Sequence, residues 1–188
     1  MRKIIKLGLI LLSITAITGL VLGAVYSLTL EPIAVAKQVS LTKTQKEAMP
    51  SAARFIEVKP KTSVFKNIYE ASDSKGNVIG HIFVVETKGF GGIIELIVGI
   101  SHDKITGVRV LTHSETPGLG AKSVETGEGS FIEQFSNKIL KTLDVVKGDV
   151  ESDSEIAAIS GATITSKAIT DAVNHVVDYY EANFKVKN

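Results

Sequence analysis

The hydropathy pattern divides the chain into three stretches. After Met1-Arg2-Lys3-Ile4-Ile5-Lys6, residues 7–30 carry no charge, and Glu31-Pro32 closes the run. At about 1.5 Å per residue such a helix reaches about 36 Å, enough to span a hydrocarbon core of about 30 Å with some tilt. Gly8, Gly19 and Gly23 weaken a helix in water but are common in lipid, and Gly19/Gly23 form a small-xxx-small pair. A secretory signal is the alternative, with Ala34-Val35-Ala36 resembling a cleavage site. The apolar run is longer than the roughly 7–15 residues of a signal core, which favours a permanent anchor over 1–32. Arg2, Lys3 and Lys6 place the N-terminus on the cytoplasmic side and the rest of the chain outside the cell membrane, although Lys37, Lys43 and Lys46 make the asymmetry modest.

Residues 33–62 are mixed and polar, and read as a juxtamembrane helix over 42–48, stopped by Pro50, and a linker. From Val64 the period changes to that of strands: 64–70, 78–87, 93–101 and 108–112. They are separated by a polar turn at 72–77, by Gly89-Phe90-Gly91-Gly92 and by a hairpin turn at 103–107. Short strands linked by turns predict an antiparallel sheet. Residues 130–138 have helical spacing with Phe131 and Phe135 turned to the core, and 145–150 is a turn or short strand. Residues 164–183 form a long helix whose Ile169, Ala172, Val173, Val176, Val177 and Tyr180 make one apolar stripe. The expected fold is α+β: a single N-terminal transmembrane helix, then over 63–188 a largely antiparallel sheet packed by helices.

Composition narrows the chemistry. A formal net charge of +1 gives no basic field for nucleic acid, and there is no cysteine for iron–sulfur clusters, attached haem, disulfides or thiolate zinc. His81, His102, His113 and His175 share no metal-type spacing. An electron carrier here is therefore organic or borrowed. No strand-linked Gly-x-Gly-x-x-Gly marks a dinucleotide site, and Glu115 and Asp171 have no nameable catalytic partner, so the chain alone carries no complete active site.

Two short stretches stand out. Ser160-Gly161-Ala162-Thr163, followed by Ile164-Thr165-Ser166-Lys167, reads as a turn opening a helix. Free backbone N–H groups and the helix dipole make that entrance a seat for phosphate. The plainer alternative is that Ser160 and Thr163 cap the helix. The second stretch runs from His113 to Lys122, with Pro117-Gly118 as its turn, and would pass for a connector if seen alone. Lys122 and Lys167 are within reach of a phosphate, although lone lysines are usually solvated.

Ser160-Gly161-Ala162-Thr163 and the residues after it resemble the flavinylation motif of the FMN-binding domain in the G subunit of Rnf electron-transport complexes. They are similar also to the motif in the C subunit of sodium-translocating NADH:quinone reductases. Glu115-Thr116-Pro117-Gly118-Leu119-Gly120 resembles the second signature of the same domain, and the likeness covers most of the soluble part. The resemblance implies FMN held by a phosphoester to Thr163, with Ser160, Gly161 and Ala162 around it. It further implies that Glu115, Thr116, Pro117, Gly118 and Leu119 lie against the flavin, and the reach of Lys122 makes it a candidate for the phosphate. The function it implies is electron transfer within a membrane complex that oxidises ferredoxin, reduces NAD and exports sodium or protons. Its partners would be the other membrane and redox subunits, with a flavin transferase for maturation. Relatives commonly carry Asp where Ala157 stands, and Asp153 and Glu155 are out of register. The rivals are the quinone-reductase subunit and an anchored binding or assembly module without flavin.

Overall fold

The apolar N-terminal run is helical, and the helix continues through Pro32. Helix α1 spans Arg2–Ala48 in a computed structural model that describes residues 1–60, 62 and 64–185. Proline removes one hydrogen bond from the ladder, and the helix resumes beyond it. Hydroxyls along the apolar run are satisfied locally: Ser13 Oγ donates to Leu9 O at 2.8 Å and Thr18 Oγ1 to Ile14 O at 2.8 Å. The helix is long and apolar enough to cross a membrane. The chain forms two compact units, Met1–Leu41 and Thr42–Asn188. The expected boundary at 62–63 touches residue 63, which lies outside the described residues.

In the second unit five strands form an antiparallel meander in chain order: β1 (Arg54–Val58), β2 (Phe65–Ser72), β3 (Val78–Lys88), β4 (Ile93–Ser101) and β5 (Lys104–Thr112). Two 3-10 turns follow, Gly120–Val124 and Ile132–Phe135, then β6 (Asp144–Val146), β7 (Glu155–Ala157) and helix α2 (Thr163–Asn183). Strands β6 and β7 pair in parallel, a small departure from the antiparallel pattern. Strand β1 falls in the stretch expected to be linker. It is an edge strand that buries no side chain, so its pairing with β2 leaves no hydropathy signature. The β4–β5 turn is tighter than the 103–107 expected: His102 and Asp103 take φ of 49° and 59°, a two-residue turn of the kind that matches strand twist. The helix expected at 130–138 shortens to the second 3-10 turn, yet Phe131 and Phe135 are buried with ring centroids 5.5 Å apart.

Side-chain alternation gives the sheet two apolar faces. Phe83, Val85, Leu96 and Val98 share one core with the whole predicted stripe of α2, from Ile169 to Tyr180. Ile82, Val84 and Ile97 face the other way and are equally buried. The segment around Ala48 and Met49 packs on that second face, where glycines admit it. A Cβ on Gly99 or Gly107 would sit 3.0 Å from Ala48 O, and Thr106 Oγ1 donates to the same carbonyl at 2.7 Å. Burial on both faces explains why β4 reads as a nearly unbroken apolar run.

Near the C-terminal end of α2, the His81 ring of β3 packs tilted against Phe184 with ring centroids 4.2 Å apart and meets Tyr180 edge-on. Its Nδ1 is buried without a hydrogen-bond partner among the described residues. Burial lowers the His81 pKa from its ordinary value of 6.5, against the opposing pull of Glu70.

Two expectations follow. Gly107→Ala in the full-length detergent-solubilised chain should cost about 1–3 kcal/mol, read by thermal unfolding, because the new methyl meets the Ala48 carbonyl. For His81, the unfolded chain binds a proton more readily than the folded one, so stability should fall as pH drops below about 6.5. His81→Phe keeps the ring packing and should flatten that part of a melting-temperature profile; an unchanged slope between pH 6.5 and 5 would contradict the assignment.

Candidate functional site

Three segments far apart in sequence meet at one end of the sheet: the β3–β4 loop Gly89-Phe90-Gly91-Gly92, the loop after β5, and the first turn of α2. Between them lies a cavity of about 350 Å³. That size falls within the roughly 300–1,000 Å³ usual for small-molecule sites.

The entrance of α2 is built by Gly161. Its φ of +76° is costly for any residue with a side chain, and a Cβ there would lie 3.1 Å from Leu119 Cδ2. Ala162 is the N-cap residue, and among the described residues no side chain caps the helix. Neither Ser160 nor Thr163 does so, which overturns the capping alternative. The first turn thus keeps its positive end open toward the cavity.

The hydroxyls of that turn differ sharply. Thr165 is 1 % exposed and donates to Glu115 Oε2 at 2.6 Å. Ser166 is 0 % exposed, donating to Ala162 O at 3.0 Å and accepting from the Ile159 amide at 3.0 Å. Thr163 is half-buried and lines the cavity, and its hydroxyl makes no hydrogen bond among the described residues. It is the uncommitted hydroxyl of the turn.

The loop after β5 supplies the opposite wall. Thr116 O accepts from the amides of Leu119 at 3.2 Å and Ala121 at 3.1 Å, closing a turn with Gly118 at φ +75°. Glu115 is 5 % exposed, and its Oε1 accepts from the Gly91 amide at 2.9 Å. Leu119 stands as an exposed apolar wall beside Ile164, and Phe90 of the β3–β4 loop is 71 % exposed at the same cavity.

Of the residues singled out in the sequence, Glu115, Thr116, Leu119, Gly161, Ala162 and Thr163 line one cavity. Pro117 and Gly118 sit at the exposed tip of their turn, Ser160 is exposed just before the helix, and Lys122 is exposed on the first 3-10 turn; none of the four is on the cavity wall. Lys167 is likewise exposed and off the wall. Phe90 lines the cavity without having been given any site role, and Gly120, Ile164 and Thr165, quoted only as parts of the two motif stretches, line it too. An aromatic residue stranded among three glycines was the available signal for Phe90. Ala157 lies in β7, its amide donating to Gln134 Oε1 at 2.8 Å and its carbonyl accepting from Gln134 Nε2 at 3.1 Å.

The chemistry of this cavity suits a flat ring with an anionic tail. Phe90, Leu119 and Ile164 offer apolar surface, and the open helix entrance with the Thr163 hydroxyl offers the polar end. FMN fits both demands.

Comparison with known proteins agrees. Residues 89–178 match the FMN-binding domain family. The G subunit of the proton-translocating ferredoxin:NAD(+) oxidoreductase complex of Clostridium ljungdahlii is 40% identical over 86% of this chain and 83% of its own length. The G subunit of the Na(+)-translocating ferredoxin:NAD(+) oxidoreductase complex of Acetobacterium woodii is 36% identical over 96% of this chain and 93% of its own. Among solved structures, the C subunit of the Na(+)-translocating NADH-quinone reductase from Parabacteroides distasonis aligns with a TM-score of 0.52 and 25% identity, covering 65% of this chain and 64% of that one. Shewanella oneidensis NqrC aligns with the same TM-score at 23% identity, covering 69% of this chain and 67% of that one, a likeness of fold. At 40% identity over most of both chains, this protein belongs to the family of G subunits of ion-translocating ferredoxin:NAD(+) oxidoreductase complexes.

Proposed function

We propose that this chain is a covalently flavinylated electron carrier of an Rnf-type complex, with FMN joined through a phosphoester to Thr163. The observation that carries the attachment is the contrast among the hydroxyls of α2: Thr165 and Ser166 are buried and committed, whereas Thr163 lines the cavity with a free hydroxyl. The helix entrance holds the remaining phosphate charge, an effect worth about 0.3–1 kcal/mol at exposed sites. Phe90, Leu119 and Ile164 bound the apolar space for the ring, with Glu115 and Thr116 behind. When bound, FMN supplies one- and two-electron transfer. In the complex the chain relays electrons between other membrane and redox subunits, coupling ferredoxin oxidation and NAD reduction to sodium or proton export.

The apolar segment within 1–32 is the anchor of a single-pass protein in the cell membrane, its N-terminus cytoplasmic and the FMN domain outside. That placement gives the covalent bond a physical purpose. A flavin that dissociates outside the membrane is diluted with no cellular pool to replace it, and a phosphoester removes dissociation. A flavin transferase acting on the exposed entrance of α2 completes maturation.

Thr163→Ala should leave stability within about 0.5 kcal/mol, since the side chain makes no hydrogen bond to lose. It should abolish flavin fluorescence on a denaturing gel and the extra intact mass of FMN less one water. A variant that keeps the adduct contradicts the assignment. For topology, the chain has no cysteine, so a single Lys75→Cys in the exposed β2–β3 turn is a clean reporter. It should react with a membrane-impermeant thiol reagent in intact cells; labelling only after lysis would reverse the orientation.

A further inference from the structure

Glu115 is a carboxylate inside the second unit, 5 % exposed, and no lysine, arginine or histidine side chain lies within ion-pairing distance of it among the described residues. A buried charge is retained only where its acceptor capacity is filled. Here each oxygen is filled from a different segment: Oε1 accepts from the Gly91 amide at 2.9 Å, and Oε2 from Thr165 Oγ1 at 2.6 Å. Its own amide donates to His113 Nδ1 at 3.2 Å, which steadies the loop that presents it.

The surroundings are shaped to receive this side chain. A Cβ on Gly89 or Gly120 would collide with its oxygens, and a Cβ on Gly120 would also lie 2.8 Å from Thr165 Oγ1. A Cβ on Gly91 would strike the backbone of Ser114 and come within 3.0 Å of the Glu115 Cα. Gly89 and Gly120, one on each loop, thus leave the room that one carboxylate fills, and Gly91 leaves room for the backbone that carries it. The two donors it holds are each close in sequence to a cavity wall: Gly91 follows Phe90, and Thr165 is two residues beyond Thr163.

We propose that Glu115 is a positioning residue that clasps the Phe90 loop and the first turn of α2 to the loop after β5, fixing the distance between the apolar wall and the hydroxyl that takes the flavin. The flavin arm of this inference rests on the function proposed above; the clasp itself does not. A carboxylate accepts on both oxygens at once. A glutamine keeps both bonds if its oxygen faces the Gly91 amide, because the Thr165 hydroxyl can turn to accept from the amide nitrogen. Alanine keeps neither.

The test uses the full-length chain in detergent, produced with and without a co-expressed flavin transferase. Glu115→Ala should speed exchange of the Gly91 amide by at least about tenfold, as expected for loss of a hydrogen bond to a charged group. The amides of Ile97 and Val98 in β4 should keep their rates. In the loaded protein the visible circular dichroism of the flavin should weaken in Glu115→Ala and return in Glu115→Gln. Thr165→Val removes one donor and should weaken the same signal; it decides the matter if Glu115→Ala does not fold. The clasp is overturned if Gly91 exchange and the flavin signal match wild type in these variants, or if exchange rises equally across β4. Wild type that takes up no flavin overturns the function proposed above and leaves the Gly91 measurement to judge the clasp alone.

Discussion

A helix can leave a hydroxyl free at its entrance only if something other than that hydroxyl holds its first turn. In this protein the first turn of α2 is held twice. Thr165 is bound to the buried Glu115 carboxylate, and Ser166 bridges Ala162 O and the Ile159 amide. Beyond the first turn, the apolar stripe from Ile169 to Tyr180 is locked into the core with Phe83 and Val98. A Ser or Thr N-cap ordinarily stabilises a helix by about 1 kcal/mol. The entrance forgoes that contribution, and packing along the rest of the helix replaces it.

The sheet makes this possible because both of its faces are covered. Covering the second face with the Ala48–Met49 segment requires glycine at 99 and 107, where the helix backbone comes too close for a side chain. The β3–β4 loop, the loop after β5 and the entrance of α2 then meet at one end of a rigid sheet. Loops placed on a packed scaffold are where binding residues concentrate. Exposed apolar groups at that end, Phe90 and Leu119 among them, are otherwise hard to explain in so well-buried a unit.

Much of this was legible from the sequence. The N-terminal run is marked by its unbroken apolar length, the strands from β2 to β5 by apolar stretches set off by turn residues, and α2 by a one-sided stripe that burial preserves. The two motif stretches carry their own turn chemistry, at Gly161 and at Pro117-Gly118. What was not legible has physical causes. Strand β1 buries no side chain, so hydropathy cannot mark it. Pro32 signals a stop, but one lost hydrogen bond does not end a helix that is otherwise well formed. Phe90 looked like part of a loop because its significance comes from long-range meetings: Gly91 reaches Glu115 across 24 residues, and Glu115 reaches Thr165 across 50. Patterns within a short window do not record such pairings.

The most direct measurement is fragmentation mass spectrometry of the tryptic peptide 148–167 from the mature protein, since it carries Ser160, Thr163, Thr165 and Ser166 together. Fragment ions that place the FMN mass on Thr163, with Ser152, Ser154, Ser160, Thr165 and Ser166 unmodified, are the expected result. The same mass on buried Thr165 or Ser166, or an unmodified peptide from correctly matured protein, would contradict it.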